Sequence, residues 1–224
     1  MVTINPWVDL KMSDRMVHPL DEAAVNAHNI KVKDDYKFLT NMVPEPFVGN
    51  VAAPVLLLMA NPGATQANAL GKFGPKRDLV VQASIDNLVQ RNVSYPLFHL
   101  DPKLSGTEGA DWYRSKLRWL IEECGELGVA NNLFTAELVP YHSIKWREPK
   151  SKIPTQEFTV SVVNQAISRG ALILVARSYR SWINQIPQLI TYPKMIRANS
   201  PMNASISPGN YGLENFQAIV KALK

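Results

Sequence analysis

The chain has 224 residues, 46% of them hydrophobic and 19% charged, a balance found in globular proteins that excludes long fibrous or disordered stretches. A formal net charge of +5 favours a polyanionic partner, and the single cysteine, Cys124, excludes an internal disulfide, a thiol redox pair and a cysteine-based metal site. That usage fits the reducing cytoplasm. The first residues lack the regions of a signal peptide, and the most apolar run, 53–60, falls far short of the roughly 20 residues that span a bilayer, so no membrane role is expected.

A single α/β domain over 1–224 is the expectation for this length. Residues 1–50 show no sustained period. A helix is expected near 20–28 and loops around Pro44 and Pro46, so the segment reads as a wrapping arm. The run Val55-Leu-Leu-Leu-Met59 has the continuous apolar character of a buried parallel strand and ends on the turn Asn61-Pro62-Gly63. A helix over 78–90 follows, with Val81, Ile85 and Leu88 on one face.

Ser105 and Glu108 have capping-box spacing at the start of a second helix, which carries Tyr113, Leu117, Leu120, Ile121 and Cys124 inward and ends at Gly125. A strand over 133–139 stops at Pro140, and a helix over 155–168 turns Phe158, Val162 and Ile167 inward before Gly170. The third strand is 171–175. Ser178 is placed to cap the helix holding Trp182 and Ile186. A brief fourth strand, 195–198, precedes a final helix with Leu213, Phe216, Val220 and Leu223 on its buried stripe. Strands alternating with helices predict a three-layer α/β/α fold around a mostly parallel four-stranded sheet, with ligands beyond the carboxyl ends of the strands.

An Asn-Pro-Gly turn alone has a purely local explanation, because proline and glycine preset it. The longer stretch Asn61-Pro-Gly-Ala-Thr-Gln-Ala-Asn-Ala-Leu-Gly-Lys-Phe-Gly74 resembles the first motif of the uracil-DNA glycosylase superfamily, in particular its single-strand-selective and mismatch-specific branches. A second resemblance lies in Ala198-Asn-Ser-Pro-Met-Asn203, which is similar to the family's Ser-Pro loop after the last strand. The likeness spans 53–224 in element order. It implies a DNA glycosylase that hydrolyses the N-glycosidic bond of a damaged, modified or mispaired base flipped from single- or double-stranded DNA.

The resemblance also implies roles. Asn61 and Asn199 are the catalytic candidates, Asn61 by holding a water against the sugar. Gly63, Phe73 and Glu137 are the base-binding candidates. Ser200, Pro201, Met202, Asn203 and Lys72 are the DNA-binding candidates, with Met202 as a wedge and Lys76, Arg77, Lys145 and Arg147 along the DNA path. Two positions depart from the family pattern. Ala198 stands where relatives carry histidine or asparagine, and Glu137 stands where they carry the asparagine that reads the pyrimidine edge. An ionised glutamate only accepts hydrogen bonds, so Glu137 favours bases offering amino donors unless burial keeps it protonated. Phe73 either stacks a base or anchors its loop, and Glu137 either reads a base or pairs with a cation. The two departures keep open a second reading, a catalytically inactive nucleic-acid- or nucleotide-binding protein with the same fold. His142 stands just past the second strand, whereas His18, His28 and His99 lack metal-ligand spacing, so neither a metal nor a cofactor is expected. A monomer is expected.

Overall fold

Leucine, isoleucine and valine runs bounded by turn residues make the strands, and the amphipathic segments between them make the covering helices. The computed structural model describes residues 4–10, 13 and 15–224. Its strands are β1 (Phe47–Val48), β2 (Val55–Met59), β3 (Leu133–Glu137), β4 (Leu172–Val175) and β5 (Met195–Arg197). Their order in the sheet is β1-β3-β2-β4-β5, with β1 antiparallel to β3 and every other pair parallel. The sheet is therefore five-stranded and mixed, not four-stranded. The additional strand comes from the segment read as an arm, where only two residues pair with β3 and no alternation is long enough to announce them.

Helices α1 (Glu22–Lys31), α2 (Gln66–Ala69), α3 (Arg77–Leu88), α4 (Glu108–Asn132), α5 (Gln156–Ser168), α6 (Tyr179–Gln185), α7 (Pro208–Tyr211) and α8 (Leu213–Leu223) complete the chain. Side chains alternate across the sheet, so each face builds its own core. Leu56, Leu58, Phe134, Ile173 and Val175 pack with α1, α5 and α6 residues such as Val25, Val162 and Trp182. Val55, Leu57, Met59, Leu133 and Leu174 pack with α4 and α8 residues such as Leu117, Leu120 and Ile219. Helices thus cover both faces of the sheet.

Three local expectations change. Thr107, not Ser105, caps α4, its side chain accepting from the Ala110 amide at 3.3 Å. The first helical stretch of α4 does end at Gly125, whose φ of 72° is in the left-handed region that glycine enters freely, and a second stretch continues across that kink to Asn132. Ser178 is itself left-handed and makes no side-chain cap. In α8 the buried stripe is Phe216, Ile219 and Leu223, while Leu213 is exposed, because the helix begins at Leu213 and its first turn projects past the core. No helix of the described residues is long and apolar enough to cross a membrane.

Candidate functional site

The chain steps from β2 sideways to β3, then crosses back over β2 to β4, so the crevice at the carboxyl ends of β2 and β4 is the topological switch point of the sheet. A cavity of about 710 Å³ opens beside it, at the carboxyl ends of β2 and β3. Its walls come from the turn after β2, the start of α3, the first turn of α4, the end of β3, and the segment before β1, with Arg177 contributed from just past β4.

The turns after β2 and β3 are zipped together beyond the strands. Val139 donates its amide to Ala60 at 2.9 Å, Ser143 to Pro62 at 3.2 Å, and Ala64 to Ser143 at 3.1 Å. This second turn fixes Asn61. Its Nδ2 donates to the Tyr141 carbonyl at 3.0 Å and to Ser143 Oγ at 2.8 Å, and Ser143 Oγ donates onward to the Lys145 carbonyl at 3.0 Å. A carbonyl only accepts, so the amide orientation is set, and Asn61 Oδ1 remains without a protein partner among the described residues. The arrangement is a rigid acceptor at the cavity wall.

Glu137, the last residue of β3, also lines the cavity and is only 4% exposed. Its Oε2 has no hydrogen-bond partner among the described residues. Burial pushes its carboxyl well above the usual carboxylate range, the negative charge of Glu45 adds to the effect, and Arg177 opposes it. Glu45 behaves in the opposite way. Burial works against its ionisation, but His99 and then His142 outweigh that and hold its carboxyl below the usual range. His99 Nε2 lies 3.5 Å and His142 Nε2 3.9 Å from Glu45 Oε1. His142 also meets two backbone carbonyls, Gly63 through Nδ1 at 2.9 Å and Val43 through Nε2 at 3.1 Å.

Tyr113 of α4 stacks on His99 with centroids 4.6 Å apart and bonds Thr135 Oγ1 at 3.1 Å. Burial, followed by Glu137 and Glu45, pushes its phenol well above the usual range. Arg177 forms no ion pair among the described residues, and its Nε is buried without a partner. The cavity therefore has a buried polar floor whose surroundings favour ionisation of Glu45 and disfavour that of Glu137.

The residues singled out in the sequence divide into two groups. Asn61, Gly63, Phe73 and Glu137 line the one cavity, as do Lys76 and Arg77. Phe73 is half-buried and has the Arg77 guanidinium over its ring at 4.2 Å from the centroid. Lys76 Nζ is engaged with the carbonyls of Lys103 at 2.9 Å and Ser105 at 2.7 Å. Lys145 pairs with Asp35 at 2.7 Å, and Lys72 and Arg147 are exposed.

Asn199, Ser200, Pro201, Met202 and Asn203 form a separate exposed loop that does not line the cavity. Buried Asn210 organises it. Its Oδ1 accepts from the Ser200 amide at 2.9 Å, and its Nδ2 donates to the carbonyls of Asn203 at 2.7 Å and Ser205 at 3.0 Å. Met202 stands at the tip, 87% exposed. Ala198 is buried in the core beneath the loop.

Sequence reasoning gave no site role to Glu45, His99, Tyr113 or Arg177. A signal existed in two of them: Glu45 sits between two prolines in an apolar stretch, and His99 between Phe98 and Leu100. Polar residues framed in that way are commonly buried and partnered. Among the described residues no group of three or more metal-ligating side chains is placed to hold an ion. No protein-family model, no curated protein and no solved structure matches the chain.

Proposed function

We propose that the chain is a DNA glycosylase-like hydrolase of the kind its Asn-Pro-Gly and Ser-Pro motifs resemble, acting on a base flipped out of DNA into the cavity at the carboxyl ends of β2 and β3. The observation that carries the reading is Asn61. Both amide hydrogens are tied to the turn after β3, and the free Oδ1 at the cavity wall is an acceptor for a water aimed at the sugar. N-glycosidic hydrolysis develops positive charge on the sugar, so positioning the nucleophile matters more than a strong base.

Glu137 fits the base-reading place better than an ionised glutamate would. A protonated carboxyl offers one donor and one acceptor, the same complement as the family's asparagine amide, so oxo-pyrimidine edges and amino-bearing edges are both compatible with it. Phe73, braced by Arg77, is the stacking surface. Asn199 belongs with the Met202 loop, outside the cavity lining.

An abasic-site assay on modified duplex and single-stranded DNA tests this. Wild type is expected to release a base, and Asn61→Ala to slow release on the order of 10²-fold, about 3 kcal/mol of barrier, with DNA affinity nearly intact. Release by neither protein, or equal rates in both, overturns the reading. Ala198, buried where the family's histidine stands, favours a second reading, a DNA-binding protein of this fold without the chemistry. Tight binding with no base released from any substrate selects it.

A further inference from the structure

Within the proposed hydrolase, two buried carboxyl groups lie in one cavity wall and are treated differently by their surroundings. Glu45, from the segment before β1, has two imidazoles against one oxygen. Glu137, from the end of β3, has an oxygen with no hydrogen-bond partner among the described residues. The groups around Glu137 are Glu45, Tyr113 of α4 and Arg177 from beyond β4. We infer that Glu137 is the general acid that delivers a proton to the departing base, and that Glu45, fixed between His99 and His142, is the positioning residue that keeps it available.

The geometry supports this division. Gly109 packs so closely on His99 that an added Cβ would lie 2.5 Å from the ring, and Tyr113 stacks on the same imidazole, so His99 is held against Glu45. A fixed negative charge at Glu45 makes a second one at Glu137 costly, which leaves the proton on Glu137. In the reaction the bond from C1′ to the base nitrogen breaks with its electron pair going to the base. Glu137 supplies a proton to a base nitrogen or oxygen. The water at Asn61 forms the new C1′–O bond, and the proton it loses returns to the Glu137 carboxylate, so one water is consumed and the acid is regenerated. A donor of this kind suits bases that leave poorly unless protonated, the amino- and oxo-purine or cytosine-type bases, more than electron-poor pyrimidines that leave as anions.

The test compares wild type, Glu137→Gln and Glu45→Gln on DNA carrying either a poor leaving base or a 5-halogenated uracil, across pH, with thermal melts to confirm folding. Glu137→Gln is expected to lose on the order of 10²- to 10⁴-fold on the poor leaving base and far less on the halogenated one. Removing the Glu45 charge moves the alkaline limb of the wild-type rate to lower pH, because Glu137 then gives up its proton sooner. Infrared spectroscopy gives a readout independent of turnover: a protonated-carboxyl stretch present in wild type at neutral pH and missing in Glu137→Gln. Equal losses on both substrates with an unmoved pH limb, or no such stretch, overturn the assignment while leaving base release itself intact. Absence of base release by wild type overturns both this assignment and the hydrolase reading.

Discussion

Glu137 carries a cost that a separate experiment can read. Its folded-state carboxyl titrates above its unfolded value, so its contribution to stability is fully present below the unfolded value and is lost as pH rises toward the folded one. Glu137→Gln removes that loss. The variant is expected to melt higher than wild type, with the gap widening from mildly acidic to alkaline pH; a gap independent of pH would mean that Glu137 is ionised in the folded protein. Stability gained while activity falls is the pattern of a strained functional site. At Gly109 two effects of opposite sign compete. Alanine in a helix is favoured over glycine by about 1 kcal/mol, but the added methyl would press on an imidazole already stacked on Tyr113. Overpacking of that kind costs about 1–3 kcal/mol, so Gly109→Ala should destabilise, as measured by urea unfolding.

At the scale of elements, the buried acid Asp21 ties the segment before β1 to the core. Asp21 Oδ1 accepts from the Thr155 amide at 2.9 Å, and its Oδ2 accepts from Thr155 Oγ1 at 2.6 Å and from the Tyr141 hydroxyl at 2.7 Å. Asp21→Ala strands these donors, and at 1–3 kcal/mol for an unsatisfied buried group the loss should reach about 3 kcal/mol in chemical denaturation. A loss below about 1 kcal/mol would show that water replaces the carboxylate. The same segment explains what the sequence left hidden. Strand β2 was legible because five apolar residues end on a proline-glycine turn, and Asn61 was legible with it. Strand β1 was not, since its two residues are defined only by the β3 backbone opposite them, Phe47 facing Ala136 and Val48 facing Thr135. Glu45 and His99 were illegible as a pair for a similar reason. They are far apart in the chain, and only the packing of the pre-β1 segment against the turn 98–100 ahead of α4 brings them to 3.5 Å.

For the whole molecule, the net charge of +5 has meaning only through where its cations are free to act. Lys145 is matched by Asp35, and Lys76 Nζ is spent on two backbone carbonyls, so neither is well placed to exchange counterions with a phosphate. Arg77 lines the cavity mouth over Phe73 and forms no ion pair among the described residues. If DNA is the partner, each phosphate neutralised contributes about −0.9 to the slope of log affinity against log salt. Arg77→Ala should flatten that slope by about 0.9. Lys145→Ala should change it far less, because removing that lysine also unmasks Asp35. Fluorescence anisotropy with a labelled duplex over a salt series measures both. Equal slopes in wild type and Arg77→Ala would place the DNA path away from the cavity mouth, and Arg77 would then serve only to brace the Phe73 ring.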